Sequence, residues 1–298
     1  MSRRVVVLTT GGDLAARLLP LLAGRGVRPT AVMVYVPSAL AEWRGLRTLP
    51  ARLLHLPLLP LRWARRRLRP RRDPRLRPGG APLVVTGPLN GPRMLRDLRR
   101  LRPDVVVLAG CGIVSPEVLA VPPGGVAGVH PGLLPWTRGS SPSLHSLARG
   151  VPLGATAFRV DAGIDTGPIV ARRLLPVAGG ETLTGLRAAL RGLWVEMTAD
   201  LVAAAAADRL GPGSPQGARF PLCPRLEGPA GLEPAAAAVA RGRAKALFDR
   251  WRPFCDSRDL SLPPPADDAL LPGAVAGQEL GQSAPPPIVP ETLTGPSL

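Results

Sequence analysis

The chain has 298 residues and a mass of 31.2 kDa, with 45% hydrophobic and 20% charged residues. This hydrophobic fraction excludes a disordered polymer, and the length suffices for one large domain with a tail. The net charge is +17, yet Lys245 is the only lysine and arginine supplies the rest. Scarce Lys and Asn beside abundant Ala, Gly, Pro and Arg indicate a GC-rich coding bias. The charge alone therefore does not identify an anionic partner.

The three cysteines, Cys111, Cys223 and Cys255, are too few and too scattered for a disulfide framework, and none has a partner at metal-ligand spacing. No apolar run reaches the roughly 18 residues that a membrane-spanning helix needs. Gly11 and Gly12 interrupt the apolar N-terminal run before a signal-peptide core can form. These features predict a soluble, cytoplasmic protein without a transmembrane segment and without a bound metal.

Seven short apolar runs predict β-strands, and helical patterns separate most of them. The predicted strands are residues 5–9, 30–36, 82–86, 104–109, 126–130, 155–160 and 169–174. Leucines from 14 to 22 predict the first helix, Asn90 is a candidate cap for a helix over 92–100, and 181–209 is the longest helical pattern. Continuous apolar strands separated by helices are typical of an α/β, Rossmann-like fold with a mostly parallel sheet and helices on both faces.

The composition divides the chain into one α/β domain over residues 1–225 and a different C-terminal part. Within the domain, residues 39–80 form an Arg/Pro-rich insertion with nine arginines from 62 to 77. This insertion is either a solvated excursion or a basic patch that docks an anionic substrate or a membrane surface. Residues 226–258 hold one candidate helix, at 235–252, and the Pro/Ala-rich residues 259–298 predict a disordered tail.

Residues 125–173 carry the side chains with chemical potential. His130 ends a predicted strand, and Asp161 and Asp165 lie in a glycine-punctuated loop between the next two strands. Open α/β sheets bind ligands at such strand ends. His130 and an aspartate there would form an acid–base pair, with the carboxylate keeping the imidazole charged near neutral pH. On spacing alone, a structural histidine and a turn aspartate explain the pattern slightly better.

The segment HPGLLPWTRGSSP followed by DAGIDTGP strongly resembles the formyltransferase family that uses 10-formyltetrahydrofolate. The resemblance continues upstream in RPDVVVLAGCGIVSPEVLAVPPGG and downstream in ETLTGLRAAL and SPQGARFP. It covers about residues 3–225 and is strongest over 102–175. It implies the formyltransferase fold, 10-formyltetrahydrofolate as formyl donor, and transfer of the formyl group to an acceptor amine.

In this resemblance, His130 matches the family's catalytic histidine and Asp165 matches the aspartate paired with it. A cationic His130 would then stabilise the tetrahedral oxyanion. Asp165 would raise the histidine's pKa and help move the proton from the amine to the leaving folate nitrogen. The family's Asn, two residues before the histidine, is Gly128 here, and losing one such oxyanion donor typically costs about 10²–10³ in rate. Candidates to replace it are Ser140, Ser141, His145 or a water molecule.

The resemblance also implies where the two substrates lie. The pterin is expected against a surface formed by Ile113, Val114, Arg159, Asp161, Gly163 and Asp165. The acceptor is expected near two glycine-containing turns, formed by Thr10, Gly11 and Gly12 and by Arg138, Gly139, Ser140 and Ser141. Glycines at the first turn would let a phosphate approach a helix N-terminus.

The acceptor predicted here is a small-molecule amine, either an amino sugar or a nucleotide-linked sugar whose diphosphate contacts the arginines at 62–77. A nucleic-acid partner is not expected, because residues 226–298 lack the alternating strands of the β-barrel that follows this domain in methionyl-tRNA members. The main alternative is a non-catalytic, formyltransferase-like protein that binds folate or a partner. Formylation of methionyl-tRNA and hydrolysis of formyl-folate rank below both.

Overall fold

The computed structural model describes residues 3–36, 80–217, 220–226 and 228–255, together with isolated positions between 64 and 76. Most of the insertion predicted at 39–80 and all of the tail predicted at 259–298 lie outside the described residues.

The core of the molecule is one seven-stranded sheet. Its strands are β1 (Val5–Thr9), β2 (Ala31–Tyr35), β3 (Leu83–Thr86), β4 (Val105–Ala109), β5 (Val126–His130), β6 (Gly154–Arg159) and β7 (Ile169–Leu174). They lie in the order β3-β2-β1-β4-β5-β6-β7. The first five are parallel, whereas β6 and β7 pair antiparallel. The predicted mostly parallel sheet is confirmed, with an antiparallel edge.

Helices cover both faces of this sheet. They are α1 (Asp13–Gly24), α2 (Pro92–Leu101), α3 (Pro116–Leu119), α4 (Pro142–Arg149), α5 (Leu183–Ala206), α6 (Gly228–Ala240) and α7 (Arg243–Cys255). Val5 and Val7 of β1 share a buried cluster with α1 and α5, whereas Val6 and Leu8 share one with α2 and α3. Side chains alternate across a strand, so one apolar run fills both layers. The predicted α/β architecture is therefore confirmed.

The C-terminal helix predicted at 235–252 is two helices. Gly242 lies between α6 and α7 with φ +74°, a left-handed conformation that ends helices and favours glycine. The two helices pack against each other and bury Ala238 and Leu247 in a cluster shared with α4 and α5. Within the described ranges, no helix is both long and apolar enough to cross a membrane.

The carboxyl ends of the parallel strands lie at one edge of the sheet, and β5 brings the predicted site to this edge. Gly128 and His130 are two residues apart on β5, so their side-chain positions share one face of the sheet. The antiparallel register sets Phe158 opposite Gly128 and Thr156 opposite His130.

Candidate active site

A cleft of about 900 Å³ opens beyond the ends of β4 and β5. Its volume lies within the range of about 300–1,000 Å³ that is usual for small-molecule sites. Nine of the residues singled out in the sequence line it: Ile113, Val114, Gly128, His130, Gly139, Ser140, Asp161, Gly163 and Asp165. The fold therefore brings together residues that are up to about fifty positions apart in the chain.

His130 is buried at the base of this cleft and has a neighbour at each ring nitrogen. Its Nε2 lies 2.8 Å from the Thr137 carbonyl oxygen, and its Nδ1 lies 3.4 Å from Asp165 Oδ2. A carbonyl only accepts hydrogen bonds, so Nε2 carries the hydrogen in this contact. Nδ1 is then the nitrogen that gains or loses a proton, directly beside the carboxylate.

Burial sets the charge of His130 in the free protein. Desolvation lowers the pKa of the imidazole below its ordinary value, although Asp165 and the Thr137 carbonyl both act to raise it. This reverses the direction expected from the sequence, where Asp165 was taken to keep the imidazole cationic. The fully buried ring loses more hydration than one carboxylate at 3.4 Å restores. The neutral imidazole, with its lone pair on Nδ1, is therefore favoured at neutral pH.

Asp165 is held in an uncommon conformation that aims its carboxylate at His130. Its φ is +52°, in the left-handed region that non-glycine residues rarely occupy. Its Oδ2 also accepts a hydrogen bond from the Gly139 backbone N–H at 2.9 Å. The Gln216 Nε2 donates to the backbone carbonyl of Asp165 at 2.9 Å and to that of Gly167 at 2.7 Å. Both the side chain and the backbone of Asp165 are thus tied to neighbouring loops.

Gly128 lies on the same side of the sheet as His130, in an apolar setting. A Cβ added there would lie 3.6 Å from the Leu108 Cβ and 3.7 Å from the Val160 Cγ2, which are ordinary contact distances. The backbone at this position is not in the left-handed region. A Cβ therefore fits at this position, which carries no polar side chain because the residue is glycine.

The loop after β4 supplies the apolar rim of the cleft. The Ile113 side chain is 63% exposed, whereas Val114 beside it is buried. Asn90 fixes this loop: its Nδ2 donates to the Ile113 carbonyl at 3.0 Å, and its Oδ1 accepts from the Ser115 N–H at 2.9 Å. The helix-capping role predicted for Asn90 is wrong, because the cap of α2 is Gly91. Both polar atoms of the Asn90 amide bond the loop at 113–115 instead.

Arg159, which was expected to contact the pterin, has a different set of partners. Its guanidinium donates to the carbonyls of Gly124, Leu210 and Gly211 at 2.6 to 3.0 Å. These bonds join the β5 side of the sheet to the segment after α5. Arg159 is not among the residues that line the cleft, and its side chain stabilises the packing of these segments instead.

The glycine turn after β1 lies at the same sheet edge as the cleft without lining it. The Thr10 hydroxyl lies 3.4 Å from the Gly110 carbonyl, and the Gly11 N–H donates to the Thr9 hydroxyl at 3.1 Å. Gly11 has φ +73°, and a Cβ there would lie only 3.0 Å from Val34, so this position requires glycine. Gly12 caps α1 without any side-chain bond to the helix N–H groups.

The second turn is divided between two surfaces. Gly139 and Ser140 line the cleft, whereas Arg138 lines a smaller cavity of about 210 Å³ that also contains Gln216. The Ser141 hydroxyl accepts from the Leu226 N–H at 3.1 Å, and His145 Nε2 donates to the Pro224 carbonyl at 2.9 Å. Of the side chains considered as replacements for the family's Asn, only Ser140 is on the cleft.

Sequence reasoning missed several residues of the site. Trp194 of α5 lines the cleft, and its indole N–H donates to the Val129 carbonyl at 2.8 Å. Leu222, Cys223 and Arg225 reach the cleft from the segment before α6, where Cys223 pairs with the backbone of Gly139. Their proximity arises from long-range packing, and no local motif marks it.

The Cys111 thiol, although on the cleft wall, is not a nucleophile in this setting. Burial raises its pKa to about 12, and Sγ donates to the Leu8 carbonyl at 2.8 Å. The described part of the chain also holds no group of three or more His, Cys, Asp or Glu side chains arranged to bind a metal ion. The His130–Asp165 pair is thus the arrangement with acid–base capacity here.

Comparisons with known proteins agree with this geometry. The family model described as "Formyl transferase" matches residues 88–200. The methionyl-tRNA formyltransferase of Xylella fastidiosa (strain 9a5c) is 35% identical over 123 residues, which make up 41% of this chain and 40% of that protein. That of Roseiflexus sp. (strain RS-1) is 41% identical over 100 residues, 33% of this chain and 31% of that protein. The chain thus matches less than half the length of these relatives.

Among solved structures, a sugar N-formyltransferase from Shewanella sp FDAARGOS_354 has a TM-score of 0.50 at 15% identity, and covers 79% of this chain and 87% of that chain. This likeness shows a shared fold. The family match contains β4 to β7, both members of the His130–Asp165 pair and most of the cleft wall. Residues 88–200 of this chain are therefore similar to the formyl transferase family, and this similar segment contains the proposed site.

Proposed function

We propose that this protein transfers a formyl group from 10-formyltetrahydrofolate to the amine of a small molecule, with an amino sugar or a nucleotide-linked amino sugar as acceptor. The observation that carries the proposal is the pairing of the buried His130 with the partly exposed Asp165, both of which line the cleft and lie inside the segment that matches the formyl transferase family. Acid–base catalysis needs these two groups within reach of each other and of a substrate, and this arrangement provides both.

The cleft residues fit a folate donor. An exposed Ile113 beside the buried Val114 offers apolar surface for a flat ring, and the loop at Asp161 and Gly163 offers polar backbone and a carboxylate. A volume of about 900 Å³ leaves room for the reacting ends of both substrates. When bound, the donor supplies the formyl group, which leaves a folate nitrogen and forms a C–N bond to the amine.

The protein's part in this reaction is to move one proton. Neutral His130 accepts the proton that the attacking amine loses, at Nδ1, and becomes an imidazolium beside the Asp165 carboxylate. The same Nδ1–H then donates the proton to the departing folate nitrogen, so the proton count balances. Throughout, Nε2–H stays on the Thr137 carbonyl and fixes the ring orientation. His130 thus begins as a base and ends as an acid.

Asp165 has two tasks in this scheme. Its carboxylate stabilises the imidazolium formed after the proton transfer, since opposite charges at this separation attract strongly in a buried site. Its bond from the Gly139 N–H keeps Oδ2 on the side of the cleft that Nδ1 faces. Gly128 supplies no hydrogen bond to the developing oxyanion, so the rate is expected to be below that of family members with Asn at this position.

An acceptor that bears a phosphate, such as a nucleotide-linked amino sugar, is supported by the turn after β1. Beside the cleft, the turn at 10–12 places the N-terminus of α1 at the same sheet edge, where the helix dipole favours a phosphate and the Asp13 carboxylate of the first turn is paired with Arg17.

A non-catalytic folate-binding protein is the second candidate, and Gly128 is the observation that favours it. The two atoms nearest to a Cβ at that position, the Leu108 Cβ and the Val160 Cγ2, are apolar. Against it stands the cost of keeping an ionisable pair in a buried site without use.

The test is a turnover assay with the full chain, 10-formyltetrahydrofolate and a panel of amines that includes nucleotide-linked amino sugars, methionyl-tRNA and water alone. Release of tetrahydrofolate that requires an amino sugar, and that His130→Gln abolishes, supports the proposal. Release with methionyl-tRNA only, or formate release without an amine, overturns the acceptor class. Tetrahydrofolate binding without any release shows the non-catalytic alternative.

A further inference from the structure

The position of the Asp165 carboxylate depends on a strained piece of backbone. Asp165 has φ +52°, and such conformations persist in non-glycine residues only where the surroundings hold them. Its Oδ2 serves both the Gly139 N–H at 2.9 Å and His130 Nδ1 at 3.4 Å. A small rotation of the Asp165 backbone would therefore alter both contacts together.

One side chain from a distant segment fixes this backbone. The Gln216 Nε2 donates to the carbonyls of Asp165 and Gly167, at 2.9 and 2.7 Å. A carboxamide nitrogen has two hydrogens, so both bonds form at once. The two carbonyls belong to the Asp165–Thr166 and Gly167–Pro168 peptides, so Gln216 fixes the peptide units at both ends of the Thr166–Gly167 segment.

Gln216 is itself anchored to the sheet. Two residues earlier, Ser214 exchanges two backbone hydrogen bonds with Ile169, the first residue of β7, at 2.7 and 2.8 Å. The loop has a second support, because Asp161 Oδ1 accepts from the Gly163 N–H and from the Thr166 hydroxyl. Gln216 is the side chain that bonds the backbone of Asp165 itself.

We propose that Gln216 is a positioning residue that sets the separation between His130 Nδ1 and Asp165 Oδ2 and thereby the efficiency of proton transfer. The inference rests on the proposed function, because it assigns Gln216 to the same proton transfer. Gln216 does not line the cleft; it lines the smaller cavity on the other side of the Asp165 loop, with Arg138 and Thr166. It acts on the reaction through Asp165 alone.

The charged and titratable groups around the pair are few. Asp165 faces His130 directly, and the Cys223 thiol interacts with Asp165 and with Arg138 and Arg149. None of these contacts involves the Gln216 amide. Replacing that amide therefore changes the His130 titration only by moving Asp165.

The test is Gln216→Met, which keeps the length of the side chain and removes the donor. The chain has three histidines, so NMR titration of the imidazole signals is practical, with His130 assigned by its loss in His130→Gln. A displaced Asp165 favours the imidazolium less, so the His130 titration is expected to move to lower pH. A misplacement of about 1 Å costs up to about 10²-fold in rate, and kcat is expected to fall by about 10- to 100-fold. The tetrahydrofolate Kd is expected to stay within about threefold, since Gln216 is outside the cleft.

Gln216→Asn is the second variant, because it keeps the donor and withdraws it by one C–C bond of about 1.5 Å. It is expected to shift the His130 titration in the same direction by less, and it keeps the test decisive if the Met variant fails to fold. An unchanged His130 titration in a folded variant overturns the inference. A loss of tetrahydrofolate affinity at constant kcat also overturns it. The NMR titration needs no turnover, so failure of the proposed function would not be mistaken for failure of this one.

Discussion

Gly128 and His130 lie two residues apart on the same face of β5, and their surroundings differ sharply. His130 has a carbonyl at one ring nitrogen and the Asp165 carboxylate at the other. This carboxylate accepts a hydrogen bond from the Gly139 N–H, and a distant glutamine donates to the backbone carbonyl of the same aspartate. Gly128 has only Leu108 and Val160 beside it. His130, which would transfer the proton, thus has a partner at each ring nitrogen. Gly128, at the position that would bind the oxyanion, has no polar side chain.

Under the proposed function, this contrast separates the transfer of the proton from the stabilisation of the oxyanion. A buried titratable group requires compensating contacts, and His130 has one at each ring nitrogen. An oxyanion donor requires only one polar side chain, and a Cβ at Gly128 would make only ordinary contacts. We therefore expect slow turnover with intact proton transfer.

The largest expected effect comes from removing the charge of Asp165 beside His130. Asp165→Asn removes the charge that stabilises the imidazolium, and turnover is expected to fall by about 10²–10⁴-fold, the usual contribution of acid–base catalysis. Steady-state tetrahydrofolate release measures it. Asp208→Asn is the matched control, because Asp208 is also an aspartate at positive φ, at +57°, but is exposed and paired with Arg3. Equal losses in both variants would show that the effect is a fold defect.

The next largest effect is expected from introducing a polar side chain at Gly128. Gly128→Asn restores an amide donor at a position where a Cβ makes only ordinary contacts, so the rate is expected to rise, by up to about 10²–10³-fold. Gly128→Leu has a similar shape without the donor and is the control, with no gain expected. A gain in neither variant would mean that another group, such as Ser140, already binds the oxyanion.

The pH profile separates the base role of His130 from the cationic role that the sequence suggested. Burial lowers the pKa of His130, so the neutral base is present above the ordinary histidine value of about 6.5 and is lost as the pH falls through the lowered pKa. The ratio kcat/KM is expected to be flat at neutral pH and to fall in acid. His145→Gln is expected to leave the profile unchanged. A rate that falls as the pH rises past neutrality would restore the cationic role.

The smallest effect concerns the apolar rim at Ile113. Asn90→Gly preserves the left-handed backbone, φ +63°, and removes the two hydrogen bonds to the loop at 113–115. At about 0.5–1.5 kcal/mol per bond, the free energy of unfolding is expected to drop by about 1–3 kcal/mol. Chemical denaturation measures it. Asn90→Ala is expected to lose more, because alanine also strains the backbone. Equal stability of Asn90→Gly and wild type would contradict a stabilising role for the two hydrogen bonds from Asn90 to this loop.

Much of this fold follows from local patterns in the sequence. The runs at 5–9, 126–130 and 169–174 match strands to the residue, because each is a short apolar or β-branched segment bounded by turn residues. The helix predicted at 235–252 is wrong because Gly242 takes up a left-handed conformation that composition does not reveal. The His130–Asp165 pair was predicted from the resemblance of the surrounding motifs to the formyltransferase family, since spacing alone favoured a structural histidine.

The features that could not be predicted from the sequence depend on contacts between residues far apart in the chain. The depressed pKa of His130 results from complete burial, which no local pattern reports. Asn90 looked like a helix cap because its partners at 113–115 lie more than twenty positions away. Gln216 reaches Asp165 across about fifty residues. Polar side chains that bind distant backbone are therefore the part of a site that sequence reasoning finds last.

The measurement that tests the central claim most directly is calorimetric titration of tetrahydrofolate into the full chain and two matched variants. Ile113→Arg introduces a large charged group at the 63% exposed rim of the cleft, and Leu232→Arg does so at the 37% exposed Leu232 of α6. The account predicts that wild type and Leu232→Arg bind alike and that Ile113→Arg binds at least about tenfold more weakly, about 1.4 kcal/mol. No binding to wild type, or equal binding to all three proteins, would contradict it.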